Sequence, residues 1–349
     1  MKALFFDDGM FSREAILAPA NRRKLAGLEE IEMMFVKDTN PAAFSAPAEF
    51  VGKLERQGPE GWIVPPPGAK DLLKKADILF IHMSGVTAEI MDMAPHLKLI
   101  FCFRSGTDGI NLKAARERGI TVCNCPSRLA EPVADLAIAL MIAECRGLVR
   151  CELHTTQGAW HPDDIKDASN AALSNLTIGL YGYGGIARKV ARRLVHGFCS
   201  RVIAYDPFTP PSVMEGDGVE PMTEEILLAE ADIVSLHVKL TEETKGIFGK
   251  KQFDQMKPTA IFINTARGEL VKEDDLVDAL RNGSIRSAGL DVYASEPIDP
   301  DHPLLQLPNV TATPHMAGVT MDIVPNTLSI MAEEMRRFLH DEPLKFTVK

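Results

Sequence analysis

Short runs of β-branched, aromatic and aliphatic residues alternate with longer amphipathic stretches through most of this 349-residue chain, and that alternation limits its fold more than any other feature. The strand-like runs are Ala3–Phe6, Ile78–Ile81, Leu99–Phe103, Ile120–Val122, Thr177–Tyr181, Val202–Tyr205, Ile233–Leu236, Ala260–Ile263, Ala288–Val292 and Val310–Ala312. Between many of them lie helical patterns such as Lys113–Arg118, Ile186–Val195 and Glu273–Leu280. A strand, a crossover helix and a second strand build parallel sheet with helices on its faces. A run as uniformly apolar as Ala260-Ile-Phe-Ile263 suits a strand buried on both faces. The expected class is α/β.

At roughly 150 residues per domain, the length suggests two domains. Residues 128–153 read as one long helix, with Leu129, Val133, Leu136, Leu140 and Leu148 recurring on one face, and His154 to Ser174 as an irregular polar stretch after it. Together they mark the seam. Pro65-Pro66-Pro67 makes 57–70 a surface loop of the first domain, and Leu328–Leu339 reads as a closing amphipathic helix.

Composition narrows the partners. Lys plus Arg number 38 against 48 Asp plus Glu, a net charge of −10, which disfavours nucleic acid and anionic membranes alike. The most apolar stretch, Leu136 to Ala143, is far shorter than the ~20 residues that span a bilayer. The N-terminal residues lack the apolar core of a secretory signal. Six cysteines without a C-x-x-C pair read as reduced thiols of a cytoplasmic protein, with no metal site.

Directly after one strand comes Ile178-Gly-Leu-Tyr-Gly182-Tyr-Gly184-Gly-Ile-Ala187, a G-x-G-x-x-A pattern that opens a helix. Gly182 permits the tight turn, Gly184 lets the backbone approach a pyrophosphate, and Ala187 is small enough for close helix–strand packing. The helix N-terminus offers unpaired N–H groups to phosphate. The next strand ends at Asp206, placed to accept from the adenosine ribose hydroxyls and to repel a 2′-phosphate. Asp206 also suits a turn, since Pro207 follows, but strand, glycines, helix and acid in register favour a dinucleotide, and NAD over NADP.

Beyond the carboxyl ends of later strands lie His237, Arg267, Asp291, Glu296 and His315. Open parallel sheets gather their chemistry at that edge. Hydride delivery to a 2-keto acid needs a proton for the carbonyl oxygen, a carboxylate to orient the imidazole that donates it, and a guanidinium for the substrate carboxylate. Each residue also has an ordinary use, as a turn former or a satisfied polar strand end. On chemistry alone His237 and His315 are nearly tied as the acid.

From about Leu99 to Val348 the chain resembles the D-isomer-specific 2-hydroxyacid dehydrogenases. The likeness runs through Gly106-Thr-Asp108-Gly-Ile-Asn111, Val133-Ala-Asp135, Gly179 to Ala187, His237-Val-Lys-Leu-Thr-Glu-Glu-Thr244, Met256-Lys-Pro, Asn264-Thr-Ala-Arg267-Gly, Gly289-Leu-Asp-Val292, Glu296-Pro and Thr313-Pro-His315-Met-Ala-Gly318. The resemblance implies Arg267 as the substrate-carboxylate arginine, His315 as the acid/base and Glu296 as its paired carboxylate. It places Gly182, Tyr183, Gly184, Gly185, Ile186, Asp206, His237, Val238, Thr244, Thr265, Ala266, Arg267, Asp291, His315 and Gly318 around NAD. The loop His82-Met-Ser84-Gly85 matches a segment whose backbone N–H groups bind substrate carboxylate, which joins Ser84 and Gly85 to Arg267 and His315 on the substrate side.

The implied architecture is two Rossmann-like or flavodoxin-like parallel-sheet domains with an interdomain active-site cleft. Residues 1–126 plus 320–349 form a discontinuous substrate-binding domain and 127–319 the NAD domain. The implied function is hydride transfer between NAD(H) and a small 2-keto or D-2-hydroxy acid, like glyoxylate, hydroxypyruvate or pyruvate, or a phosphorylated analogue. A corepressor-like NAD(H) sensor of the same fold, with little turnover, is the rival reading. A homodimer through the long helix is expected. Lys239 stands where the family usually has Pro, Asp135 replaces a typical Glu, and Leu129 a frequent Asn. Arg104 is an unusual charge, suited either to a larger or dianionic substrate or to an interdomain salt bridge.

Overall fold

The five strands of the first sheet are β1 (Lys2–Asp7), β2 (Glu32–Lys37), β3 (Ile78–Ile81), β4 (Leu99–Cys102) and β5 (Thr121–Cys123), and they run parallel in the order β2-β1-β3-β4-β5. The second sheet has seven parallel strands in the order β12-β11-β10-β9-β6-β7-β8. They are β6 (Thr177–Tyr181), β7 (Arg201–Tyr205), β8 (Glu220–Pro221), β9 (Ile233–Leu236), β10 (Ile261–Asn264), β11 (Ser287–Leu290) and β12 (Val310–Ala312). This is a computed structural model, and it describes residues 1–39, 47–126, 128–160 and 171–348. It resolves two units, Met1–Leu129 with Met321–Lys349, and Ala130–Thr320.

Alternation of side chains along each strand explains the layering. In the first unit Leu4, Phe6, Leu79, Ile81 and Ile100 point to one face, where they pack with Phe50 and Leu54 of helix α1 (Pro47–Gln57). Ala3, Phe5, Ile78, Phe80, Leu99 and Phe101 point to the other. That face is covered by helix α6 (Ile323–Leu339), which buries Leu328, Met331, Ala332 and Met335. At about 1.5–3 kcal/mol for each large apolar side chain, this helix is a major part of the unit's stability. In the second unit Ile178, Leu180, Val202, Ile233 and Ile263 meet Ala134, Ala137, Leu140 and Met141 of helix α2 (Ala130–Arg146). The opposite face carries Val234, Leu236, Phe262 and Leu290, under Leu276 and Leu280 of helix α5 (Glu273–Arg281).

The reading of 128–153 as one helix is corrected. Helix α2 ends at Arg146, and helix α3 (Leu148–Thr156) begins after Gly147. Gly147 has φ +58, a left-handed conformation that glycine enters without the Cβ penalty. The stretch 57–70 is also less of a surface excursion than expected. Gln57 belongs to α1, a short helix starts at Ala69, and Ile63 in between is buried in the core of the first unit. Of the polar stretch after the long helix, residues 161–170 lie outside the described residues. Among the described residues no helix is long and apolar enough to cross a membrane.

Candidate active site

The chain crosses the second sheet at β6, whose neighbours are β7 on one side and β9 on the other, so the connections diverge between β6 and β9. Such a switch point opens a crevice at the carboxyl ends of the strands. Gly182 leaves β6 there with φ +93, and a Cβ on it would lie 2.9 Å from the carbonyl carbon and oxygen of His237, just past β9. Only glycine fits both the dihedral and the contact.

Helix α4 (Gly185–Arg193) starts next, with Gly184 as an N-cap that supplies no side-chain cap. A Cβ on Gly184 or Gly185 would meet nothing within 4 Å, so the first turn faces open space. Uncapped N–H groups facing open space fit a pyrophosphate. Thr265 adds a buried Oγ1 with no partner among the described residues. Asp206 takes up the turn use that Pro207 suggested. Its Oδ2 accepts the Tyr183 N–H at 2.8 Å, and Oδ1 accepts from Phe208 and Thr209 at 2.8 and 3.2 Å. The carboxylate thus anchors the glycine turn to the end of β7. Tyr183 turns its ring into the protein, where its hydroxyl donates to Asp217 at 3.1 Å, leaving its backbone at the turn. Thr244 is occupied locally, donating to the Lys239 carbonyl at 2.7 Å, so 239–244 forms a turn around the residue that departs from the family pattern.

Arg267, Glu296 and His315 come together at the same edge. Arg267 follows β10 and is exposed, its Nη1 donating to the Ala266 carbonyl at 2.7 Å. Asn264 shapes that loop by accepting from Ala266 and donating to the Arg267 carbonyl, both at 3.0 Å. His315 Nδ1 lies 2.5 Å from Glu296 Oε2, and the Tyr293 N–H donates to Oε1 at 3.0 Å. Burial pushes the Glu296 carboxyl up, but the hydrogen bonds from His315 and Tyr293 and the charges of His315 and Arg267 outweigh it and hold the group below its ordinary value. An ionised carboxylate only accepts, so Nδ1 carries the proton of this bond and Nε2 is left for other chemistry.

Asp291 shapes the turn that follows β12. It is fully buried, and its oxygens accept from Thr313 Oγ1 at 2.5 Å and from the Met316 and Ala317 N–H groups at 2.9 Å. It therefore fixes the turn in which His315 sits at φ +51. His237 does not join the pair. Its Nε2 lies 3.0 Å from Ser235 Oγ, and burial pushes the imidazole down to about 4, so it stays neutral near neutral pH. That difference separates two histidines that chemistry alone left tied.

Residues 138–317 match the family described as D-isomer specific 2-hydroxyacid dehydrogenase, NAD binding domain, which is more than half of the chain. The chain belongs to that family. It is similar to a glyoxylate reductase of Korarchaeum cryptofilum, 37% identical over 285 residues that cover 79% of this chain and 85% of that one. It is also similar to a D-3-phosphoglycerate dehydrogenase of Archaeoglobus fulgidus, 36% identical over 279 residues, covering 80% of this chain and 52% of the relative. The chain thus spans about half the length of that relative. Among solved structures, the D-lactate dehydrogenase with NAD+ from Lactobacillus jensenii is 25% identical with a TM-score of 0.78, covering 100% of both chains. The second unit is accordingly the family's NAD-binding domain, and the chain is an NAD-dependent oxidoreductase of hydroxy acids.

Within the first unit, His82 and Ser84 follow β3. Ser84 is buried and its hydroxyl donates to Asp38, while a Cβ on Gly85 would lie 2.9 Å from Ile63. Arg104 follows β4 and is partly exposed. The sequence reading passed over Asp8, which pairs with His82 at 2.6 Å, and the buried Arg128. Asp8 carried a faint signal, an acid directly after an apolar strand.

Proposed function

We propose that this chain catalyses reversible reduction of a small 2-keto acid to the D-2-hydroxy acid, with bound NADH supplying the hydride. The Glu296–His315 pair beside Arg267 is the observation that carries this reading. Protonated His315 gives its Nε2 proton to the carbonyl oxygen as negative charge develops there, a role worth about 10²–10⁴ in rate. Glu296 keeps the ring in one tautomer and supports its charge. The Arg267 guanidinium grips the substrate carboxylate and so fixes which carbonyl face is presented. Asp206 supports NAD over NADP, because a carboxylate at the end of β7 repels a 2′-phosphate.

The first unit takes the substrate-binding role in this reading, with Ser84, Gly85 and Arg104 at the carboxyl edge of its sheet. A homodimer is supported by α3, which exposes Leu148, Val149 and Leu153 and buries none of its own residues among the described side chains. A cytoplasmic location is supported by free cysteines, four of them buried. Sizing chromatography with light scattering should return twice the chain mass.

The test is NADH oxidation with glyoxylate, pyruvate, hydroxypyruvate and phosphohydroxypyruvate. Turnover of at least one is expected, falling about 10²–10⁴-fold in His315→Asn, with NADH binding by fluorescence retained. No oxidation of any keto acid, or an unimpaired variant, overturns the assignment.

A further inference from the structure

Glu273 opens α5, where it is one of three acids, with Asp274 and Asp275, that suit the positive end of a helix dipole. Its carboxylate does something else. Oε1 turns away from the helix and accepts the Ala294 N–H at 2.8 Å, 21 residues along the chain. Asp275, by contrast, accepts the Lys250 N–H at 2.9 Å and serves a different loop. His302 Nδ1 accepts the Leu304 N–H at 3.3 Å, so its Nε2 carries a proton, and that atom lies 3.5 Å from Glu273 Oε2.

Ala294 stands in the turn that carries Glu296. There the Tyr293 N–H donates to Glu296 Oε1 at 3.0 Å, and the Tyr293 hydroxyl donates to the Thr313 carbonyl at 3.0 Å, two residues before His315. Burial pushes the Tyr293 phenol up to about 12, so it keeps its proton as a donor. Tyr293 thus ties Glu296 to the strand that leads to His315, and Glu273 holds the next peptide. Packing adds little support. Ala294, Ser295 and Pro297 are exposed, and a cleft of about 530 Å³, lined by Glu273, Ala294, Pro297, Ile298 and His302 among others, lies against the turn. An exposed turn with open space beside it shifts easily, so a hydrogen bond from a packed helix decides where it sits.

We propose that Glu273 is a positioning residue for the reaction, holding the 293–297 turn against the start of α5 so that the Glu296 carboxylate stays on Nδ1 of His315. Nε2 is then the nitrogen left to meet the carbonyl oxygen. The inference rests on the proposed function, which gives the proton transfer to His315. Every residue in it belongs to the second unit, and Glu273 acts through Glu296.

Three substitutions in the full-length protein separate positioning from a helix-charge role. Glu273→Gln keeps an acceptor for the Ala294 N–H and loses the charge. Glu273→Asp keeps the charge and, one methylene shorter, loses the reach. Glu273→Ala loses both. For the keto acid reduced fastest, kcat should fall about 10-fold in Glu273→Asp and Glu273→Ala and stay within about twofold of the wild type in Glu273→Gln, with NADH affinity by fluorescence retained in all three. The opposite order, with Glu273→Asp active and Glu273→Gln impaired, overturns the proposal, and so does a lowered melting temperature with kcat unmoved. Added to Glu296→Gln, Glu273→Ala should lower kcat by less than about a further twofold, because it works through the same carboxylate; losses that multiply would place its effect elsewhere and overturn the proposal. Nitrogen-15 spectra of the histidine rings give a readout without turnover, with the His315 signals identified by their loss in His315→Asn. At a pH where the ring is neutral, wild type and Glu273→Gln should show the Nδ1–H tautomer, and Glu273→Asp and Glu273→Ala a share of the Nε2–H form. One tautomer in all four proteins sinks the positioning role while keto-acid reduction stands. Failure of every keto acid removes the proposed function, and the ring spectra still decide whether Glu273 sets His315.

Discussion

Glu296 is ionised across the neutral range because hydrogen bonds and neighbouring cations outweigh its burial. A carboxylate can only accept, so it fixes Nδ1 of His315 as the protonated nitrogen. Glu296→Gln puts an amide there that can also donate and no longer fixes the tautomer, so kcat for keto-acid reduction should fall about 10- to 100-fold with NADH affinity retained. An unchanged kcat would show that the pairing does not set the ring. His237 makes a separate pH prediction. An unfolded histidine takes a proton near 6.5, whereas the buried ring resists it down to about 4. Below pH 6.5 the unfolded chain therefore binds a proton that the folded chain does not. Stability contributed here is full above pH 6.5 and falls as pH drops towards 4, by at most about 3 kcal/mol. Denaturant midpoints at pH 7 and pH 5 should converge for His237→Asn relative to the wild type. Spacing and chemistry left the two histidines tied and only the resemblance singled out His315 with Glu296; the desolvation of His237 and the hydrogen bond between Glu296 and His315 are properties of the fold.

At the scale of elements, the loop after β10 holds its position by backbone contact. A Cβ on Gly268 would sit 1.9 Å from the Tyr293 carbonyl carbon and 2.2 Å from its oxygen, so the two backbones touch with no room for a side chain. Gly268→Ala must push the Arg267 loop away from the segment that carries Glu296. A loss of about 1–3 kcal/mol in stability is expected, with a larger fall in kcat/KM than in NADH affinity; an unchanged kcat/KM would show that the contact does not set the site. The buried strands were legible because each is a nearly unbroken apolar run, and the glycine turn because its spacing is dictated by a phosphate. Strand β2 was not: Glu32-Met-Met-Phe-Val-Lys37 is an edge strand with only Val36 buried, so its pattern carries little alternation. The break at Gly147 was hidden too, because apolar spacing continues across it and only the left-handed dihedral ends α2.

At the scale of the whole chain, the second unit is one continuous segment and the first is made of two. The segment Ala130–Thr320 contains its whole sheet and both covering layers, so expressed alone it should melt cooperatively and bind NADH with an affinity within about tenfold of the full chain. A fragment that neither melts cooperatively nor binds the cofactor would contradict this. A chain ending at Thr320 should retain that behaviour while its first 129 residues become prone to aggregation, because Phe5, Phe80 and Phe101 lose the cover of Leu328, Met331 and Met335.

The same discontinuity orders events on the ribosome. The nucleotide-binding segment is complete while the residues of α6 are still untranslated, so the five-stranded sheet made first is the one finished last. During that interval one aromatic face of the nascent sheet has no partner of its own. Of the two units, the first is thus the one that keeps apolar surface uncovered for longer during synthesis.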